Sequence, residues 1–365
     1  MITDKNSIIK IKAGTDGTVS VAVECKACIN GVKFTVFEPC GVQTSVDLSV
    51  DGNCAKGTFH VSEPELWSVD LPVLYGFSAK ISTENGEETA EGKFGFRTLS
   101  TNGKNVCLNG VPIFIRGYIR GATAHEHSNN AGLSETEFYR KNISEAKKFG
   151  FNLVRFHSVV PNETFLSVAD ELGMLVHIEL RPPHDIYNNL EEMVTTGNAV
   201  VNDDFLEEVI NTGYNHPSLA VYCIGNEIKN APDGTIHAIK EKIDALDGTR
   251  LFLDTCAWGE NGRPDIDIDV QHLSYYFPFG KHARMYDDTD NLLVVGHSDD
   301  KPLKTDGLNA EISKTLRFSV PLIAHEVCHY TALRDYAGLK EKFVKNGVDV
   351  PWWIDEELQI IEEKG

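Results

Sequence analysis

Residues Leu219–Glu227 read LAVYCIGNE, and this stretch decides the fold class. No charged residue interrupts Leu219–Ile224, and the run ends in Gly225, Asn226 and Glu227. A strand with one wet face alternates apolar and polar residues. A near-continuous apolar run describes a strand buried on both faces, as in a parallel sheet covered by helices. Six further stretches share this form: VPIFIRG (111–117), FNLVRFH (151–157), MLVHIEL (174–180), RLFLDTC (250–256), DVQHLSYY (269–276) and SVPLIAHE (319–326).

Amphipathic segments lie between these strands. SETEFYRKNISEAKKFG opens on Ser134 and Glu137, a capping-box pair, and stops at Gly150. PNETFLSVADELG has Pro161 near its start and Gly173 past its end. NDDFLEEVINTGY, TIHAIKEKIDAL and YAGLKEKFVKNG follow the same spacing. Strands alternating with helices mean a parallel α/β sheet. Seven strands suit a doubly wound sheet as well as an incomplete eight-stranded barrel. The polar residues favour the barrel. Arg116, Arg155 with His157, Glu179 with Arg181, Asn226 with Glu227, Asp254, His272 with Tyr275 and Tyr276, and Glu326 all fall at the expected strand C-terminal ends. That is the mouth at which such barrels keep their active sites.

Residues 1–98 differ in character. GTVSVAVEC, VKFTVFEP, TSVDLSV, KGTFHVS, LYGFSAKIST and EGKFGFRTLS are β-rich, and turn residues separate them. Short strands so spaced predict an antiparallel sandwich. The expected division is therefore a sandwich over 1–98 and a barrel over 99–365.

The net charge of −20 argues against nucleic acid, which demands clustered Lys and Arg, and against an anionic membrane surface. No apolar run of about 18 residues predicts a membrane span. No signal peptide is visible at the N-terminus, and the compartment stays open. The eight cysteines include one C-x-x-C pair, Cys25 and Cys28, without the second pair that a zinc ribbon needs. The expectation is no metal and no cofactor. Self-association into a homo-oligomer is left open.

Glu227 follows the fourth barrel strand and Glu326 ends the seventh, on opposing sides of an eight-stranded barrel. Two glutamates facing one another across a pocket are the equipment of glycoside hydrolysis. A rival reading comes from AHEVCHY, in which His325, Glu326 and His329 match the zinc-protease motif H-E-x-x-H. That motif requires a helix. Pro321 and the β-branched run before it favour a strand.

These residues resemble glycoside hydrolase family 2, the family of β-galactosidase, β-glucuronidase and β-mannosidase. GFRTLST…CLNGVPIFIRG resembles its junction between an immunoglobulin-like domain and the barrel. KKFGFNLVRFHSVVPNETFLSVADELGMLVHIE resembles its second and third barrel strands, NHPSLAVYCIGNE its acid/base segment, and PELWSVDLPVLYGFSAKI its sandwich. The resemblance implies a retaining glycosidase acting on a β-linked terminal sugar, with Glu227 as general acid/base and Glu326 as nucleophile. It implies that Arg155 stands by the nucleophile, that Asn226 contacts the sugar, and that Tyr275 or Tyr276 hydrogen-bonds the nucleophile. His157 and His272 become sugar-hydroxyl contacts, and Trp258 a stacking platform.

The chain also departs from the family pattern. It shows no sugar-binding jelly roll ahead of the sandwich and no eighth apolar strand, since about 39 residues follow Glu326. The barrel is therefore expected to be incomplete at its C-terminal end. The alternatives kept are a non-catalytic carbohydrate-binding protein of the same fold and the metalloprotease.

Overall fold

Strands β1 (Ser7–Ala13), β2 (Thr18–Cys25), β3 (Ile29–Phe37), β4 (Gln43–Asp47), β5 (Ser49–Asp51), β6 (Cys54–His60), β7 (Tyr75–Thr83) and β8 (Gly86–Phe94) open the chain. The computed structural model describes residues 7–121, 132–180, 203–226, 234–256, 265–272, 292–294, 314–316, 320–326 and 335–364. Two antiparallel four-stranded sheets form, ordered β1-β2-β6-β5 and β4-β3-β7-β8. Alternation aims Val19, Val21 and Val23 of β2 inward, against Phe34, Val36, Phe77 and Ile81. Phe34 stacks on Phe77 with ring centroids 5.6 Å apart. Cys25 ends β2 buried, whereas Cys28 lies exposed beyond the strand.

The connection to the barrel corrects one expectation. VPIFIRG is not a barrel strand. Strands β9 (Leu99–Asn102), β10 (Asn105–Leu108) and β11 (Val111–Ile113) form a separate antiparallel sheet. Asn109 (φ 54°) and Gly110 (φ 76°) make the two-residue turn that folds β11 back onto β10. The first parallel strand is instead β12 (Gly117–Gly121), so Arg116 precedes a strand rather than ending one. Its backbone N–H donates to Asn152 Oδ1 at 2.8 Å and its Nε to the Gly150 carbonyl at 2.7 Å.

Strands β13 (Leu153–His157), β14 (Leu175–Glu179), β15 (Leu219–Asn226) and β16 (Leu251–Cys256) continue from β12 as a five-stranded parallel sheet in sequence order. All eight residues of β15 are buried, as its apolar run requires. Beyond β16 stand β17 (Asp269–His272), β18 (Leu292–Val294), β19 (Lys314–Leu316) and β20 (Leu322–His325). β17 and β20 pair in parallel, and β18 and β19 pair antiparallel. Asp267 N–H donates to the Phe252 carbonyl at 3.0 Å, which ties the approach to β17 onto β16.

Helices Glu135–Lys148, Glu163–Leu172, Asp203–Gly213 and Thr235–Asp247 separate the parallel strands. Ser134 and Glu137 form the expected capping box, and Asn162 caps the second helix through the Phe165 N–H. Gly173 ends that helix at φ 70°. A Cβ there would stand 2.5 Å from the Val69 carbonyl oxygen, so both conformation and contact require glycine. Ile143, Leu166, Val209, Ile210 and Ile243 from the helices pack on Val154, Val176, Ile178, Tyr222 and Phe252 of the sheet.

Polar anchors join the sandwich to the sheet's flank. Buried Arg97 donates to three carbonyls: Nε to Pro217 at 2.9 Å, Nη1 to Thr249 at 2.9 Å and Nη2 to Leu219 at 2.8 Å. Burial, with Arg250 nearby, pushes the Arg97 pKa down to about 9. Asn215 acts as a backbone mimic at the β1 edge, accepting from Ile11 N–H at 2.9 Å and donating to the Ile9 carbonyl at 2.7 Å. Trp67, fully buried, donates Nε1 to the Asp170 carbonyl at 2.9 Å. A cavity of about 210 Å³ at this seam is lined by Lys12, Arg97, Tyr214 and Arg250 among others, none of which belongs to the site described below.

Residues Cys328–Gly365 form a second compact unit. Its helices, Tyr336–Lys345 and Trp352–Lys364, are joined by Lys340 to Asp355 at 2.6 Å and by an edge-on contact of Tyr336 with Trp353.

Arg97→Gln removes the fork that caps three carbonyls at once. We expect a loss of about 3 kcal/mol, since a hydrogen bond to a charged group is worth about 1.5–3 kcal/mol and Gln keeps part of one. Urea unfolding followed by fluorescence measures it. An unchanged midpoint would remove Arg97 from the list of anchors.

Candidate active site

Arg155 is the centre of the described site. It comes from the middle of β13, in LVRFH, where alternation turns it to the same side as Leu153 and His157. It is 1% exposed. Nε donates to Glu179 Oε1 at 2.7 Å, Nη2 to Asn226 Oδ1 at 2.6 Å, and Nη1 to Glu326 Oε1 at 3.1 Å. One guanidinium thus touches the C-terminal ends of β14 and β15 and the residue after β20. Burial opposes its charge, but Cys256, Glu179 and Glu326 outweigh burial and hold its pKa above the ordinary arginine value.

Glu179 is fully buried and accepts one hydrogen bond on each oxygen, since Oε2 accepts the Ser158 N–H at 2.6 Å. Ser158 adopts φ 58°, a left-handed turn that aims its N–H at the carboxylate. Its Oγ lies 3.1 Å from His157 Nδ1. His157 Nε2 in turn lies 4.0 Å from Glu326 Oε1. Glu326 itself sits at φ 52°, one residue past the end of β20. Non-glycine residues in this region cost of order 1 kcal/mol or more and cluster where a site needs a side chain re-aimed.

Of the residues expected at the site, the structure brings together Arg155, His157, Asn226 and Glu326. Glu227, Trp258, Tyr275 and Tyr276 lie outside the described residues, as does the side chain of His272. The His272 backbone closes β17 in register with His325. Leu322–His325 is a strand and not a helix, so His325 and Glu326 do not begin the helical turn that a zinc-protease motif needs. Glu179 was legible as a polar strand end, but its role as the fixed partner of Arg155 was not. His177 is also new to the site. It is buried between Arg155, Cys256 and His325, and burial together with the Arg155 charge lowers its pKa to about 3. Its imidazole is therefore neutral at neutral pH.

Residues 99–292 match the TIM barrel domain model of glycosyl hydrolases family 2, and residues 2–97 match a second model of glycosyl hydrolases family 2. The chain belongs to this family: a sandwich domain followed by a TIM-type β/α barrel domain. It is 28% identical over 239 residues to a β-galactosidase of Aeromonas hydrophila, covering 61% of this chain and 22% of that protein. To a β-galactosidase of Kluyveromyces lactis it is 28% identical over 288 residues, covering 65% of this chain and 27% of that one. The fold also matches the crystal structure of Parabacteroides merdae β-glucuronidase at TM-score 0.60 and 21% identity, over 76% of this chain and 37% of that one. The chain therefore spans about a quarter of the length of the curated relatives it matches.

Arg155→Met leaves Glu179 charged and buried without its counter-ion. Breaking such a pair costs about 3–5 kcal/mol, whereas replacing both members with apolar groups recovers part of the loss. Arg155→Met/Glu179→Leu should therefore unfold at higher denaturant than Arg155→Met alone. Additive losses in this double-mutant cycle would show the two residues to be uncoupled.

Proposed function

We propose that the protein is a retaining β-glycosidase that removes a terminal sugar of the galactoside, glucuronide or mannoside class. Residues 1–98 then serve as the supporting sandwich, and 99–365 carry the catalytic domain. The observation that supports this reading is that adjacent nitrogens of Arg155 hold Asn226 and Glu326, so residues 100 positions apart in sequence meet at one guanidinium.

In the first step the Glu326 carboxylate attacks the anomeric carbon while Glu227 donates a proton to the glycosidic oxygen. The bond to the leaving group breaks, and a glycosyl ester forms on Glu326. Water then attacks the same carbon, Glu227 takes its proton, and the ester bond returns its electrons to Glu326. Arg155 favours the ionised form that the nucleophile needs. With Oδ1 given to Arg155, Asn226 offers its Nδ2 hydrogens to a sugar hydroxyl. His157, His272 and one of Tyr275 and Tyr276 complete the polar contacts, and Trp258 offers a stacking face.

The test is a panel of nitrophenyl β-galactoside, β-glucuronide and β-mannoside, with a 2-fluoro glycoside to trap the ester. Wild type should turn over at least one substrate and carry the trapped sugar on Glu326. Glu326→Gln should fall to background. Glu227→Gln should lose about 10²–10⁴-fold, the typical contribution of general acid–base catalysis. Binding of sugar with no turnover would point to a carbohydrate-binding protein, and a label on another residue would overturn the assignment of Glu326.

A further inference from the structure

Directly behind the Arg155 fork, four side chains converge that glycoside chemistry does not require. His177 and Glu179 lie two apart on β14, so they share a face. Cys223 comes from β15 and Cys256 from β16, the next two strands of the sheet. All four are buried, and their ligating atoms lie within 4.8 Å of one another. The two Sγ atoms are 3.8 Å apart, and Cys256 Sγ is 3.8 Å from His177 Nε2.

Those spacings have a simple reference. In a tetrahedral zinc site with Zn–S of about 2.3 Å and Zn–N of about 2.0–2.1 Å, S···S edges come to roughly 3.8 Å and S···N edges to roughly 3.6 Å. The thiol pair and the thiol–imidazole pair already stand at about those edges. We propose that His177, Glu179, Cys223 and Cys256 form a structural site for a zinc-class divalent cation that staples β14, β15 and β16 together beneath the active site.

Further observations agree with it. Without a cation the two sulfurs make only weak contacts, Cys223 Sγ to the Gly225 carbonyl at 3.3 Å and to Cys256 Sγ at 3.8 Å. A divalent cation displaces two thiol protons, so the net charge of the pocket does not change, and Arg155 stands beside Cys256 and Glu179 to balance the thiolate and carboxylate. The outer shell is also built: Glu179 is oriented by Arg155 Nε on one oxygen and by the Ser158 N–H on the other. A mixed nitrogen, sulfur and oxygen donor set selects zinc-class ions over magnesium or calcium. The site stands independently of the glycosidase reading, because it uses neither Glu227 nor Glu326.

The experiment is cobalt titration of reduced, metal-stripped protein, with X-ray absorption on the zinc-loaded form. The expected result is a single equivalent bound, sulfur-to-cobalt charge transfer with tetrahedral visible bands, and a shell of two sulfurs with two nitrogen or oxygen donors. Cys223→Ser/Cys256→Ser should lose the charge-transfer band entirely, and Cys25→Ser/Cys28→Ser should keep it. No charge transfer in folded wild type overturns the site, as does a band that survives in Cys223→Ser/Cys256→Ser. A four-sulfur shell, or a Cys223–Cys256 disulfide in the protein as purified, has the same force. If the double serine variant fails to fold, the wild-type absorption shell decides alone.

Discussion

A guanidinium sealed inside an apolar barrel cannot be left unpaired, because removing a charge from water costs several kcal/mol even after the protein relaxes. Arg155 sets that constraint, and its neighbours follow from it. Glu179 neutralises it from β14, and Asn226 and Glu326 fill the other two directions of the fork. Arginine suits this place where lysine would not, since the planar fork addresses three partners along fixed directions. The positions of Asn226 and Glu326 are thus consequences of one buried charge.

The sandwich contributes by bracing this barrel from outside. Arg97 caps carbonyls at Pro217, Leu219 and Thr249, which lie where β15 begins and just before β16. Trp67 reaches the end of the helix that precedes β14. The strands that carry Glu179 and Asn226 are therefore held at their N-terminal ends by the sandwich seam and at their C-terminal ends by Arg155.

Much of this was legible in the residues. Uninterrupted apolar runs such as LAVYCIGNE and MLVHIEL announced buried parallel strands, because no solvent face had to be provided for. Asn226 and Glu326 were legible as polar ends to apolar strands, whereas Arg155, expected at a strand end, stands in the middle of β13. Three features were hidden for physical reasons. Val111–Ile113 looks like a barrel strand by composition, but the Asn109-Gly110 turn turns it back on β10 and passes the role to Gly117–Gly121. β1 was missed because its lysines hide a strand in which only Ile11 is fully buried. The grouping of His177, Glu179, Cys223 and Cys256 had no local signature, since three strands supply it and register alone aligns them. The H-E-x-x-H string shows the converse, because a motif is only as good as the backbone under it, and here His325 ends a strand.

The central proposal is that Arg155, by holding Asn226 and Glu326, prepares Glu326 to act with Glu227 on a sugar between them. A crystal structure of the protein with a bound sugar analogue tests this most directly, through the distance between the two carboxyl groups. The account predicts about 5–5.5 Å, the spacing of a retaining pair. A gap of about 6.5–9.5 Å with Arg155 still on Glu326 would contradict it, since that spacing leaves room for a water and calls for inversion.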